Sequence, residues 1–153
     1  GTVNGQWDQL KDVEKQSSGR AVSLLDDVPR SLPGLLRARK LQKRAARVGF
    51  DWPDVSGVFD KVDEELAELR EAAASGDADH TEEELGDLLF VIANLSRHLD
   101  VDPEQALRKA ARKFEVRFSQ VEAQVQAKGG DWSAHSLESL DDFWNQAKAK
   151  EPR

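Results

Sequence analysis

Residues 64–95, EELAELREAAASGDADHTEEELGDLLFVIANL, decide how this chain folds. Just before and within its first part, Val62, Leu66 and Leu69 recur at three- and four-residue spacing, and past the SGDAD break Leu85, Leu88, Ile92 and Leu95 do the same. Each series is one face of an α-helix, and a short polar break between two such helices predicts an antiparallel hairpin. The second helix carries a difficulty. Between Leu85 and Leu95 its polar side chains are Asp87 and Asn94, seven residues apart and so nearly stacked on one seam. A carboxylate on a helix that is apolar almost all round needs a partner or a proton, because burying a bare charge is costly.

Working outward, the same spacing predicts a helix from about Pro33 to Val48, with Leu35, Ala38, Leu41, Ala45 and Val48 on one side and Arg39, Lys40, Lys43 and Arg47 on another. Gly49 stops it. The DWPD turn introduces the first hairpin helix, which runs to about Ala74 with Val58 at the head of its stripe, and the second spans about Thr81 to Leu99. Thr81 with Glu84, or Asp79 with Glu82, fits a capping box at its start. Asp102 and Pro103 open a fourth helix that reaches about Lys128, striped by Leu107, Phe114, Phe118, Val121 and Val125, and the glycines at 129 and 130 close it. A last helix, about Leu137 to Ala149, presents Leu140, Trp144 and Ala147. With no strand-like alternation or internal repeat, the expected class is all-α. The prolines of VPRSLP oppose regular helix, so residues 1–31, which include the short amphipathic QWDQLKDVEK, are expected to form a linker or arm ahead of one helical domain at 32–150.

A chain of 153 residues is long enough for a real core, and 39% hydrophobic with 33% charged residues is what amphipathic helices produce. The absence of cysteine excludes disulfides and thiolate metal sites and suits a reducing cytoplasm. No apolar run approaches the roughly 20 residues that span a bilayer, so no membrane partner is expected. A net charge of -7 disfavours general nucleic-acid binding and suits hard cations where acids cluster. The start at Gly1 rather than Met fits a processed or excised chain.

The acids cluster in the hairpin. A helix advances about 100° per residue, so with Val62, Leu66 and Leu69 at the buried centre, Glu65 sits at one edge of that face and Glu68 just beyond it, while Glu64 and Glu71 point away. On the partner helix Glu84 edges the leucine stripe beside Asp87. Antiparallel pairing lets ExxE and ExxD converge as four carboxylates, Glu65, Glu68, Glu84 and Asp87, which repel strongly unless cations hold them. Hard oxygen donors alone suit magnesium or manganese, ions that keep several waters and meet substrate phosphates. An isolated ExxE is usually a solvated pair; the pairing of the two motifs carries the reading.

On the fourth helix, Lys113 and Arg117 in KFEVRF lie four apart beside the Phe114 and Phe118 stripe. They can hold phosphates, or equally be solvated or snorkelling charges. Asn94 and Trp144 are further substrate-contact candidates, Trp144 being more often a core anchor than a base-stacking platform. The stripe of Arg39, Lys40, Lys43 and Arg47 reads as a solvated face, with a non-catalytic module that meets an acidic partner or RNA as the rival to an enzyme. The histidines at 80, 98 and 135 have neither metal nor acid–base spacing.

The succession LPGLLRARKLQKRAARVGFDW, KVDEELAEL, EEELGDLLFVIANLSRHL and KFEVRF resembles the MazG family of nucleoside triphosphate pyrophosphohydrolases, specifically the C-terminal half of its two-domain members, over roughly residues 25–150. The resemblance implies an all-α helical bundle of the all-α NTP pyrophosphatase type, dimeric, that hydrolyses nucleoside triphosphates to monophosphate and pyrophosphate with magnesium. It implies that Glu65, Glu68, Glu84 and Asp87 are the metal-binding and catalytic acids and that Lys113 and Arg117 contact phosphate. A house-cleaning role in the nucleotide pool follows from it, with a dUTPase-like enzyme for one deoxynucleotide as the near rival. One position departs: the family usually has Asn where this chain has Ala111.

Overall fold

The computed structural model describes residues 22–152. The first 21 residues of the expected arm, QWDQLKDVEK among them, lie outside the described residues. The rest of that segment is not loose. Residues 22–33 run as turns without helix, Val28 is buried, and Asp27 pairs with Arg44 at 2.8 Å.

Among the described residues there are five α-helices and no strand: α1 (Gly34–Ala46), α2 (Val55–Ser75), α3 (Ala78–His98), α4 (Pro103–Ala127) and α5 (Leu137–Ala149), with a 3₁₀ turn at Trp132–Ala134. The all-α expectation holds, and none of these helices is long and apolar enough to cross a membrane. Their limits follow local chemistry. Asp54 accepts from the Ser56 backbone N–H at the start of α2, and Gly76 ends it in the left-handed conformation, φ 76°. Ser136 caps α5 by accepting from Ser139 N–H. At α3 neither proposed capping box forms. Asp77 is the cap, accepting from His80 N–H at 3.2 Å, while the Thr81 hydroxyl donates to the Asp77 carbonyl at 2.8 Å, so the helix begins three residues earlier than its apolar periodicity suggests. Asp100 takes a left-handed φ of 56° after α3, the position a glycine would favour.

The chain divides into two compact units, which meet after Pro103. In the first, α3 packs on both α2 and α1, and the two-residue link from Ser75 to Ala78 makes α2 and α3 the predicted hairpin. Its core is narrow and built of small side chains: Val28, Ala38, Val58, Ala72 and Ala93. Gln42 of α1 is buried among them and donates from Nε2 to the Phe90 carbonyl of α3 at 2.7 Å. A second tie joins the loop after α1 to the far end of α3. Asp51 Oδ1 accepts from Arg97 Nη2 at 2.5 Å and from His98 Nε2 at 2.8 Å. Burial works against the charged form of Asp51, but those two hydrogen bonds with the charge of Arg97 outweigh it and hold its pKa below the usual value.

In the second unit, Val121 and Val125 of α4 pack against Phe143 of α5, with Leu140 and Trp144 alongside. Aromatic rings extend that core along α4. Phe114 stacks on Phe118 with centroids 5.8 Å apart, Phe118 on Trp132 at 5.6 Å, and Phe114 meets Trp144 at 5.3 Å. The 3₁₀ turn that delivers Trp132 is capped by Asp131, which accepts from Ser133 N–H.

Candidate metal and phosphate site

The buried face of α2 keeps Val58 of the expected stripe, with Val62 and Leu69 half-buried, but is turned so that Glu65 and not Leu66 lies at its centre. Val58, Glu65 and Ala72, spaced by seven, are the buried residues of the helix, while Leu66 is exposed. Glu65 is therefore at the centre of the face and not at its edge. The rotation brings a carboxylate, only 6% exposed, opposite α3. There Glu84 is half-buried, and Asp87, the acid whose apolar surroundings first drew attention, is the exposed member of the set. Leu85 and Ile92, expected to be buried, are exposed as well, and the small Ala93 takes the buried position.

Glu65, Glu84 and Asp87 each place a carboxylate oxygen within 4.8 Å of the others. Glu65 Oε2 and Glu84 Oε2 are buried with no hydrogen-bond donor. Lys61, one turn before Glu65, reaches its other oxygen at 3.2 Å and Glu64 at 3.3 Å, and Glu65 first and Glu64 second raise the lysine's pKa. His80 Nδ1 stands 4.0 Å from Glu84 Oε1. Glu68 stands outside the three-acid cluster but feels it. The charge of Glu65, then partial desolvation, then the charge of Glu84 push its carboxyl above the usual range. Lys61 is not singled out in the sequence and His80 reads there as lacking motif spacing, although each lies four residues before an acid of the cluster, the spacing at which helical side chains meet.

Orphaned carboxylate oxygens beside a third carboxylate are the donor set of a hard divalent cation, and one lysine does not satisfy them. The residues present fit such an ion.

The basic candidates lie in the second unit. Arg117 donates from Nε and Nη2 to Glu151 at 2.6 and 2.7 Å, and its guanidinium sits 5.5 Å from the Trp144 ring centroid. Glu151 raises the pKa of Arg117, and Arg117 lowers that of Glu151, with Lys113 adding to the latter. Lys113 is exposed, and Trp144 is half-buried against the aromatic row of α4. Asn94 of α3 accepts through Oδ1 from Arg97 Nε at 3.1 Å and Nη2 at 2.9 Å. Ala111 is exposed on α4.

A family model described as the MazG nucleotide pyrophosphohydrolase domain matches residues 57–122, a span that contains all four acids, Lys113 and Arg117. An Escherichia coli protein named nucleoside triphosphate pyrophosphohydrolase is 46% identical over 151 residues, 97% of this chain and 57% of that protein. A Thermotoga maritima protein named nucleoside triphosphate pyrophosphohydrolase/pyrophosphatase MazG is 46% identical over 143 residues, 94% of this chain and 54% of its own length. An uncharacterised Bacillus subtilis protein, YabN, is 42% identical over 152 residues, 99% of this chain and 31% of that protein. The chain thus spans little more than half the length of the first two. The chain carries a MazG domain at residues 57–122, and its likeness to these relatives runs through nearly all of its length.

Proposed function

We propose that this chain hydrolyses nucleoside triphosphates to nucleoside monophosphate and pyrophosphate with Mg²⁺, Mn²⁺ serving in its place. The observation that carries the reading is that Glu65 and Glu84 each keep a buried oxygen without a donor, in a cluster where one carboxylate oxygen each of Glu65, Glu84 and Asp87 lies within 4.8 Å of the others. Those three acids would hold the ion. A divalent cation bound there supplies charge compensation for a polyphosphate and makes water more acidic. Glu68, outside the three-acid cluster, takes the proton of the water that attacks the α-phosphorus in line. Lys113 and Arg117 bind the phosphates, and Trp144 and Asn94 contact the rest of the substrate. The names of the two pyrophosphohydrolase relatives support this substrate class. A house-cleaning role in the cytoplasmic nucleotide pool is the setting that goes with it.

We further propose a homodimer as the working form. Phe59 and Leu66 of α2 and Leu85, Leu89, Phe90 and Ile92 of α3 are exposed large apolar side chains on one hairpin. A second copy that brings the same surface covers them by closed two-fold symmetry. We take residues 32–150 as the functional domain.

Release of pyrophosphate and monophosphate across a panel of ribo- and deoxynucleoside triphosphates, with and without Mg²⁺, tests the reaction. Metal-dependent release of both products from at least one triphosphate is the expected result. No release from any of them would leave the interaction-module reading, in which the exposed Ala111 and the basic α1 are the relevant features.

A further inference from the structure

The seat offered by Arg117 already holds an anion. Two N–H donors meet two carboxylate oxygens of Glu151, at 2.6 and 2.7 Å, and the guanidinium carbon lies 5.5 Å from the Trp144 ring centroid. This two-point geometry is the one in which a guanidinium grips two oxygens of a phosphate. Lys113, one turn earlier on α4, places a second positive charge close enough to favour the ionised Glu151. The site is therefore matched to an anion with two coplanar oxygens and more than one charge.

Glu151 is placed to leave. The last helix ends at Ala149, and Glu151 follows it in a bend anchored by a backbone hydrogen bond to the Lys148 carbonyl at 3.3 Å. Its withdrawal turns a residue beyond the helix and melts none of α5. Arg117, by contrast, is held on a long helix with its guanidinium carbon over an indole ring, so the seat persists when the carboxylate goes.

We propose that Glu151 is a built-in stand-in for substrate phosphate, which occupies Arg117 in the free protein and is displaced when a polyphosphate binds. The inference rests on the reading of Arg117 as a phosphate-binding residue. A ligand that competes with an internal occupant binds with an apparent affinity reduced by the fraction of molecules whose seat is open. That reduction is the same for any ligand that needs Arg117, so discrimination between a triphosphate and a monophosphate stays with their direct contacts, while the latch weakens both and recloses as the ligand leaves.

Calorimetric titration of the 153-residue chain with inorganic tripolyphosphate, in a chelator so that the acids of the hairpin bind no metal, tests this directly. Glu151→Ala is expected to bind about three- to fivefold tighter than the parent, the range set by loss of a partly exposed ion pair. Glu151→Gln, which keeps the side-chain shape, falls between the two and guards against a folding defect in the alanine variant. In an Arg117→Ala background the gain disappears. If both Glu151 variants bind equally or more weakly while Arg117→Ala also weakens binding, the latch is overturned and the phosphate role of Arg117 stands. If Arg117→Ala leaves tripolyphosphate binding unchanged, the phosphate role itself fails and the latch with it.

Discussion

In the α2–α3 hairpin, Glu65 and Glu84 each keep a buried oxygen that meets no donor, whereas in the α4–α5 unit the guanidinium of Arg117 has two oxygens of Glu151 and an indole face. Both constellations carry charges of one sign on a helical face; from sequence the acids rest on the pairing of two motifs, while the bases read alike as phosphate ligands or solvated charges. They differ in what the chain itself provides. The acids gain one lysine for several carboxylates and stay in mutual repulsion, as the raised pKa of Glu68 shows. The bases have an acid of their own. An uncompensated cluster marks where a ligand stabilises the protein, and a compensated one marks where a ligand must compete.

The harshest way to break the contrast is to remove the acid at its centre. Glu65→Gln keeps the shape and relieves repulsion, so the fold is expected to survive while Mg²⁺ affinity and turnover fall by about 100-fold or more. Calorimetric Mg²⁺ titration beside a thermal melt reads both, and undiminished binding would remove the hairpin as a metal centre. Phe90→Glu strikes the exposed apolar face instead of the acids. It is expected to weaken self-association by on the order of 100-fold, because the new charge would lie unpaired in the interface. Light scattering checks it, and a parent chain already monomeric at micromolar concentration would remove the dimer.

Lys113→Ala sharpens the comparison from the other side. It is expected to weaken nucleoside triphosphate binding by about three- to tenfold and to leave binding of the free nucleoside unaltered, since the lost contact is to charge. Equal losses for both ligands would make the residue structural. The smallest effect is a pair of opposite pH dependences within the first unit. Glu68, with its pKa raised from 4.5, contributes stability below that pH that is lost as pH rises through the folded-state value. Asp51, with its pKa lowered from 3.8, contributes stability above that pH that is lost as pH falls through its folded-state value. Metal-free melts across acidic pH should show Glu68→Gln flattening the first trend and Asp51→Asn the second. A Glu68→Gln profile that superimposes on the parent would show that Glu68 is not coupled to the cluster.

Most of the fold was legible because helix ends are written locally. The DWPD turn, the SGDAD break, Pro103 and the expected start near Leu137 mark limits that the structure keeps within a residue or two. The start of α3 was missed because Asp79 and Thr81 offered plausible boxes, while the actual cap, Asp77, lies in the turn before them. The site was legible as a set of acids and misread in its phase. Leucine positions fix the rotation of a helix only if burial follows hydrophobicity, and here the centre of the α2 face is Glu65, with Leu66 turned outward. The same assumption made Asp87 look like the buried acid. The Arg117 pair was out of reach for another reason: its partner is 34 residues away and beyond the last helix, where no periodicity points.

The tie from Asp51 to Arg97 and His98 makes α3 a beam supported at both ends. One end is fixed by the turn at Gly76 and Asp77; the other, about 15 Å past Asp87, is pinned to the loop after α1. A helix held only by its turn can slide against its neighbour, and a slip of one residue would swing Asp87 by about 100° away from Glu65. With two supports the register is set from both ends, so weakening the distant one, as Asp51→Asn does, is expected to loosen the facing of the carboxylates without touching any of them.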